Sequence, residues 1–232
     1  MAPILECKKL TKKFGDSVLI DGLDLSVEPG RIVGLFGPEG SGKTTLLKLA
    51  MGLMSIDGGE VLIDGKAPGV ETKRNTVFLP KDEPVEAHSS VRDYLRFYRD
   101  FYDDFDEGSA LSALEELGIE AKERVSDLSK GSLKKLRLSL AMSRNAKLFL
   151  LDEPADGVDT ATLGFIINTI VSKRSEDSTV IITSRNPSEV ERIIQDAAFI
   201  SLGRITLFED AEKLRVRNGK SVHALFTEEF KC

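Results

Sequence analysis

The sequence predicts an α/β domain built on a mostly parallel β-sheet. Two observations lead to this prediction. Short, fully apolar runs alternate with helical patterns along the chain, and one of these runs enters a glycine-rich turn that is followed by a helix. Fully apolar runs are typical of parallel strands, because helices cover such strands on both faces. The 232 residues are enough for one large domain, or for one domain with an insertion.

The first predicted strands are of two kinds. Ser17–Val27 and residues 60–64 alternate between apolar and polar side chains, which indicates an antiparallel sheet at the edge of the domain. A turn is predicted at Asp64-Gly65. Ile32–Phe36 is apolar throughout and leads into GPEGSGKTT and then TLLKLAMGL. This order predicts a buried strand, a tight loop and a helix.

The middle of the chain reads as helices, over 90–102, 108–118 and 132–144. Six aromatic residues recur there at offsets of three and four, and we interpret them as the core-facing stripe of an amphipathic helix. A surface that stacks on a ligand is the alternative. The six are Tyr94, Phe97, Tyr98, Phe101, Tyr102 and Phe105. We therefore expect a core formed by 1–81 and 146–232, interrupted by a helical subdomain over 82–145.

The C-terminal part returns to the α/β pattern. Leu148–Leu151 and residues 180–183 are apolar and are expected to be buried parallel strands, with a helix over 160–175 between them. A hairpin is predicted from 198–202 and 205–208, which flank Gly203-Arg204.

The composition excludes several classes of protein. The 32 Lys and Arg against 38 Asp and Glu give a net charge of −6, which disfavours a nucleic acid partner bound through a basic face. Cys7 and Cys232 are too few for a disulfide framework and are expected to be reduced thiols. No apolar run approaches the ~18 residues of a membrane span, and the start has no signal-like apolar region. We therefore expect a soluble, cytoplasmic chain.

The strongest motif is the segment from Gly37 to Thr44, which matches the phosphate-loop pattern G-x-x-x-x-G-K-[ST]. Glycines let backbone N–H groups turn toward phosphate oxygens, and the helix N-terminus adds positive potential. Lys43 is expected to reach the β- and γ-phosphates, and the Thr44 hydroxyl to hold Mg²⁺. Glu39 is expected to point to solvent, without special chemistry. The predicted nucleotide-binding residues are Gly37, Pro38, Glu39, Gly40, Ser41, Gly42, Lys43, Thr44 and Thr45.

The second motif is a pair of carboxylates at the end of an apolar strand. Leu148–Leu151 is followed by Asp152, Glu153 and Pro154. Asp152, which forms the predicted magnesium site with Thr44, is suited to contact the metal-bound water, and Glu153 to polarise a water for attack on the γ-phosphate. An acidic helix cap is the alternative if the motif is taken alone.

The third motif, Leu128-Ser129-Lys130-Gly131-Ser132, precedes a helical run and lies before the carboxylate strand. A plain serine N-cap is the alternative for an isolated motif of this kind. In this position the segment resembles the LSGGQ signature of ABC-type ATPases. The stretch around FYDDFD and LSKGSLKKL is most similar to the ATPases of small bacterial exporters of the ABC-2 type.

The resemblance extends over nearly the whole chain and implies a fold and partners. The fold is a P-loop NTPase (RecA-like) core with a parallel sheet, an antiparallel β edge subdomain and an inserted α-helical subdomain. ATP and Mg²⁺ would bind one subunit, and Ser129 and Gly131 of a second subunit would cap that ATP, in a homodimer or a heterodimer. The dimer would power a separate integral membrane permease, which would place this chain on the inner face of the cell membrane.

Further landmarks of the family can be matched one at a time. Phe14 matches the aromatic residue that stacks on adenine, with a core phenylalanine as the alternative. Asp159 matches the D-loop aspartate that contacts the other subunit, and it also suits a helix N-cap. Lys81 stands where the family has the Q-loop glutamine, and Arg185 where it has the switch histidine.

These two departures bear on catalysis. Arg185 keeps a hydrogen-bond donor for phosphate, whereas Lys81 brings a cation to a metal site, where it would repel Mg²⁺ or bind phosphate directly, so slow hydrolysis is predicted. The alternative is that both side chains swing into solvent and that Glu153, Mg²⁺ and Ser129 keep a conventional rate. The histidines of the chain, His88 and His223, lie elsewhere and are expected at the surface. A soluble ABC ATPase with an assembly role, or a nucleotide-gated module with little hydrolysis, remains as an alternative. A DNA-repair ATPase is disfavoured by the lack of a heptad insertion, and a P-loop kinase by Glu153 and the LSKGS segment.

Overall fold

The computed structural model describes residues 2–82 and 89–231. The strands are β1 (Leu5–Phe14), β2 (Ser17–Val27), β3 (Ile32–Phe36), β4 (Gly58–Ile63), β5 (Thr76–Leu79), β6 (Leu148–Leu151), β7 (Thr179–Ser184), β8 (Asp196–Ser201) and β9 (Arg204–Asp210). The helices are α1 (Lys43–Ala50), α2 (Val70–Arg74), α3 (Val91–Phe101), α4 (Glu107–Leu117), α5 (Lys130–Met142), α6 (Thr160–Lys173), α7 (Ala211–Asn218) and α8 (Val222–Phe230). The predicted α/β class is confirmed.

Within the described residues, the main sheet has six strands in the order β5-β6-β7-β3-β8-β9. The strands from β5 to β8 pair in parallel, and only β9 is antiparallel, forming the predicted hairpin with β8. Strands β3 and β6 are buried along their whole length, because separate apolar clusters cover the two faces of the sheet. The carboxyl ends of β5, β6, β7 and β3 lie side by side, so the segments that follow these strands meet at one edge.

The second sheet is antiparallel and has the order β2-β1-β4. The two strands predicted for it do belong to one sheet, but they do not pair with each other, because β1 lies between them. Strand β1 was not predicted from the sequence. Its pairing shifts register between Cys7 and Leu10, with Lys9 at a φ of 47°. The predicted turn after β4 has Asp64 and Gly65 at φ values of 49° and 73°.

The helices α3, α4 and α5 pack around an apolar cluster of their own. The expectation that the aromatic stripe faces the core is only partly correct. Tyr94, Tyr98 and Phe105 pack against this cluster, whereas Phe97 and Phe101 are 48% and 70% exposed. The physical reason is that Val91 and Leu95 already fill the buried side of α3. The aromatic stripe is wider than the face of α3 that α4 and α5 cover, so part of it stays exposed.

Arg144 connects the helical segment to the sheet. Its guanidinium is buried, donates to the Asp104 carboxylate at 2.8 Å and to the Thr76 carbonyl at 3.3 Å, and lies 3.9 Å from the centre of the Tyr102 ring. A buried guanidinium is stable only when such partners surround it. The contact therefore fixes the end of α5 and the start of β5 relative to the turn before α4.

Cys7 is buried and forms no disulfide within the part of the chain that the structure describes, and its burial raises the pKa of the thiol to about 12. Cys232 lies outside the described residues. Over 2–82 and 89–231, no helix combines the length and the apolar character needed to cross a membrane.

Candidate functional site

The glycine-rich loop joins β3 to α1 and packs closely against neighbouring strands. Gly42 has a φ of 107°, and a Cβ atom there would lie 2.6 Å from the Ile20 side chain. A Cβ atom at Gly37 would lie 2.4 Å from the Ile200 carbonyl oxygen. Only glycine fits at these two positions, since any side chain would push the loop away from the sheet. The sequence pattern is therefore required by the packing of the loop.

Lys43 is held inside the loop. Its Nζ donates to the carbonyl oxygens of Gly37 at 2.7 Å and Pro38 at 3.0 Å, and lies 3.6 Å from Glu153 Oε1. Burial lowers the pKa of this ammonium, an effect that the Glu153 carboxylate partly offsets. The loop thus encloses a poorly solvated cation for which phosphate oxygens are better partners than neutral carbonyls.

Thr44 and Asp152 come together as predicted. The Thr44 hydroxyl donates to Asp152 Oδ2 at 2.8 Å, and the Thr183 hydroxyl donates to Asp152 Oδ1 at 2.7 Å. Hydroxyl and carboxylate oxygens are the ligands that Mg²⁺ prefers, so the residues present fit this ion. Thr183 was not singled out from the sequence, although a polar residue at the end of the apolar strand β7 was a possible signal. It also accepts from the Glu153 N–H at 2.8 Å and so orients both acidic residues.

The Glu153 carboxylate contacts three cations. Its Oε2 accepts from Lys81 Nζ at 2.6 Å and lies 3.2 Å from Arg185 Nε, and its Oε1 faces Lys43. The hydrogen bond to Glu153 raises the pKa of Lys81. These residues follow β5, β6, β7 and β3, the four adjacent strands of the main sheet. Residues far apart in the sequence therefore meet around one carboxylate.

A second carboxylate, Asp156, belongs to the same cluster and was not identified from the sequence. It lies 3.0 Å from Lys81 Nζ and accepts from Arg185 at 2.7 Å. Burial acts to raise the pKa of Asp156, but the two ion pairs outweigh it and the net shift is downward. No local pattern marks this aspartate, because both of its partners are distant in the sequence.

Glu39 points to solvent as expected, but it also forms an ion pair. Its side chain is 89% exposed, as predicted, but its carboxylate lies 3.3 Å from Arg185 and is therefore not isolated in solvent. Glu39 forms one wall of a pocket of about 250 Å³. The pocket is lined by Leu19, Glu39, Gly40, Ser41, Gly42, Lys43, Thr44, Thr45, Lys81, Glu153 and Arg185.

Phe14 lies outside this pocket, at the end of β1. Its ring is 49% exposed, so the alternative interpretation as a core residue is wrong. Lys12 Nζ lies 5.5 Å from the centre of the ring. Of the two histidines, His223 is exposed as predicted, and His88 lies outside the described residues.

The LSKGS segment and Asp159 lie next to each other but do not line the pocket of the phosphate loop. Ser129 caps α5, accepting from the Ser132 N–H at 3.1 Å, and Asp159 caps α6, accepting from the Thr162 N–H at 2.8 Å. Both helix-cap interpretations are correct. A Cβ atom at Gly131 would lie 3.3 Å from the Thr162 hydroxyl, which donates to Asp159. Within one chain, the surface formed by Ser129, Gly131 and Asp159 is separate from the pocket of the phosphate loop.

The fold and the phosphate-loop pocket define a P-loop nucleotide-binding core. Residues 20–156 match the family model described as ABC transporter, and the chain belongs to that family. It is 30% identical to the ABC transporter ATP-binding protein YtrB of Bacillus subtilis, over 91% of this chain and 74% of the relative. It is 29% identical to the Nod factor export ATP-binding protein I of Cupriavidus metallidurans, over 100% of this chain and 76% of the relative.

Solved structures support the same fold. A structure of an ATP-binding subunit of an ABC transporter superposes with a TM-score of 0.85, at 22% identity, over 97% of this chain and 98% of that one. The predicted P-loop NTPase core is thereby confirmed. Membership of the family makes this chain an ATP-binding, ATP-hydrolysing subunit that dimerises and works with a membrane permease. The alternative of a soluble assembly ATPase is not favoured.

Proposed function

We propose that this chain binds ATP with Mg²⁺ in the pocket of the phosphate loop and uses the closure of a dimer over ATP to drive an exporting permease. The observation that supports this proposal is the convergence of Lys43, Thr44, Asp152 and Glu153 at one edge of the sheet. The export direction is inferred from the Nod factor export relative. The chain would act in the cytoplasm, peripheral to the inner face of the cell membrane through its permease.

Each residue of the pocket has a role in this proposal. Lys43 and the amides of the loop bind the β- and γ-phosphates, and Thr44 and Asp152 hold Mg²⁺. The ion, when bound, stabilises negative charge on the phosphates. Glu153 accepts a proton from the attacking water. Lys81 and Arg185, on the same side as Glu153, contact the γ-phosphate, and the planar guanidinium suits two phosphate oxygens.

Phe14 is proposed to hold the adenine ring. Its exposed ring lies at the end of β1, and β2 contributes Leu19 to the wall of the pocket. An exposed aromatic face offers a stacking partner of the right size for a purine. The family resemblance assigns the same role to this position.

We also propose that the domain is divided as the sequence suggests, into a core of 1–81 and 146–232 and a helical subdomain of 82–145. The support for this division is the separate apolar cluster formed by α3, α4 and α5. Arg144, which lies at the end of this segment, contacts carbonyl and carboxylate groups from both sides of the boundary.

The capping surface for a second subunit is proposed to be the N-terminus of α5. Ser129 is exposed, and the first turn of α5 contains no acidic residue, so the helix dipole offers positive potential to an anion. Asp159 lies beside it, at the start of α6, and would contact the facing subunit. Because these groups are separate from the phosphate loop of their own chain, a complete site requires two chains.

Dimerisation is therefore expected to require ATP. The Glu153→Gln variant, which keeps the shape of the side chain but removes the base, should accumulate as a dimer in Mg-ATP. Adding Ser129→Arg should return it to monomer, because the larger side chain occupies the position of the γ-phosphate. Sedimentation velocity with ATP and with ADP measures both states. A dimer that forms equally without nucleotide would contradict the composite site.

The permease is proposed to dock in a groove between α3 and the end of β5, where Leu79 precedes Lys81 by two residues. The groove encloses about 430 Å³ and is lined by aromatic residues that include Phe78, Tyr94 and Phe97. Phe97 and Phe101 stack on each other with ring centres 4.5 Å apart, and both are exposed. Exposed aromatic residues of this kind are typical anchors of protein interfaces.

The Phe101→Glu variant is expected to lose the permease while retaining ATP. A charge in a desolvated aromatic contact should reduce recovery of the multi-span partner from solubilised membranes by roughly tenfold or more. The Val216→Glu variant is the matched control, because Val216 is 74% exposed and lies on α7, away from the groove. Recovery is measured by quantitative mass spectrometry of the affinity-purified complex. Equal recovery with both variants would place the docking surface elsewhere.

A further inference from the structure

Asp156 contacts both Lys81 and Arg185 and has no part in the proposed reaction. Its two carboxylate oxygens contact different cations, Lys81 at 3.0 Å through Oδ2 and Arg185 at 2.7 Å through Oδ1. Glu153 contacts the same two cations, through Oε2 alone. Both cations are therefore shared between these two carboxylates, one of which is the proposed base, and Arg185 also lies 3.3 Å from the Glu39 carboxylate.

The turn after β6 holds Asp156 in this position. The Asp156 N–H donates to the Glu153 carbonyl at 3.2 Å, which closes a tight turn between the two acidic residues. The Asp156 carbonyl accepts from Lys134, a residue of α5. The turn is thus attached to α5, the helix that Ser129 caps, and the carboxylate remains directed toward Lys81 and Arg185.

We propose that Asp156 is the resting partner of Lys81 and Arg185, that the γ-phosphate of ATP replaces it, and that this exchange sets the selectivity of the pocket for ATP over ADP. The inference rests on the proposed function, which places the γ-phosphate between Lys43 and these two cations. ADP has no γ-phosphate and leaves both ion pairs with Asp156 intact. Asp156 is a positioning residue, because it acts on the nucleotide only through the two cations.

The physical argument is a competition between anions. Lys81 and Arg185 are each about one-third exposed, so water screens their ion pairs and phosphate oxygens can displace a carboxylate from them. The γ-phosphate carries more charge than Asp156 and offers several acceptor oxygens. Removing the charge of Asp156 therefore removes a competitor of ATP, whereas removing either cation removes the partner of the γ-phosphate.

The test is calorimetric titration with ATP and with ADP in EDTA, so that hydrolysis does not consume the nucleotide. The Asp156→Asn variant should bind ATP roughly fivefold more tightly than the parent, as expected when a partly exposed ion pair is weakened. Its affinity for ADP should stay within about twofold of the parent's affinity for ADP. Lys81→Gln and Arg185→Ala should each weaken ATP and leave ADP unchanged. Asp64→Asn is the matched control, because Asp64 forms an exposed ion pair with Lys147 at 2.7 Å outside the pocket. Asparagine also tolerates the positive φ of Asp64.

A combined variant separates this role from a structural one. In the Lys81→Gln, Arg185→Ala background, Asp156→Asn should no longer change ATP affinity, because no cation is left to release. Equal weakening of ATP and ADP by Asp156→Asn, with a lower melting temperature, would overturn the inference in favour of a structural role. An unchanged ratio of ATP to ADP affinity would also overturn it. If the parent bound neither nucleotide, or if Lys43→Ala had no effect, the proposed function itself would fail.

Discussion

Replacing Lys43 with alanine is expected to remove most of the affinity of this chain for ATP. The Nζ of Lys43 is buried, and its partners among the described residues are two carbonyl oxygens and the more distant Glu153. Charge-assisted hydrogen bonds to phosphate from such a position should contribute about 3 kcal/mol in total, or roughly 150-fold in Kd. The loop amides remain in the variant, so weak binding should persist.

The measurement is a titration with a fluorescent ATP analogue in the presence of Mg²⁺. Lys48→Ala is the matched control, since Lys48 lies in the last turn of the same helix and outside the pocket. The melting temperature of Lys43→Ala should stay within about 3 °C of the parent, because little stability depends on a desolvated cation that faces a ligand. Unchanged nucleotide affinity would show that the loop does not bind phosphate.

The parts of the site that are contiguous in the sequence were predictable. Gly37 to Thr44 form a loop whose glycines are needed for close packing, and Asp152 and Glu153 follow directly from a buried strand. In both cases the chemistry and the backbone geometry are encoded within a few residues. The family resemblance of the LSKGS segment is local in the same way.

Strand β1 was missed because a bulge interrupts its alternation. Leu5 and Cys7 are buried at a spacing of two, but the next buried residue is Leu10, after two exposed lysines. The positive φ of Lys9 accommodates the extra residue. Strand β5 was missed for a different reason, since its four residues are too few for any periodicity to distinguish a strand from another apolar run.

The charge cluster depends on strand order, which the sequence pattern does not contain. Lys81 follows β5, Asp156 lies in the turn after β6, and Arg185 follows β7. Their contacts exist because β5, β6 and β7 are neighbours in a parallel sheet. The family resemblance pointed to Lys81 and Arg185 as substitutions, but their ion pairs with Asp156 required the arrangement of the strands. The partial exposure of the aromatic stripe on α3 could not be predicted for a similar reason. The helical period of the stripe does not show how much of α3 the neighbouring helices cover.

Hydrolysis by this chain is expected to be slow and to depend on the partners of Glu153. The Oε2 atom that would accept the proton of the attacking water already accepts from Lys81 at 2.6 Å and lies 3.2 Å from Arg185. Changing Lys81→Gln and Arg185→His together replaces these cations with the groups usual in the family, and should raise turnover roughly tenfold or more. Arg185→Ala alone should lower turnover, because it removes a donor for the γ-phosphate without supplying another.

The mechanism behind that gain can be tested by a further change in the same background. Phosphate release at saturating Mg-ATP is measured for the parent, the single variants and the double variant. If the gain arises from a released base, Glu153→Gln added to the double variant should reduce turnover by at least about 100-fold, since a positioned base contributes on that scale. A gain that survived Glu153→Gln would mean that the cations act on the phosphate rather than on the base. A parent enzyme that hydrolyses ATP fast and is not affected by Arg185→Ala would contradict the prediction. That result would mean that the Lys81 and Arg185 side chains leave Glu153 once ATP is bound, and that neither contacts the γ-phosphate.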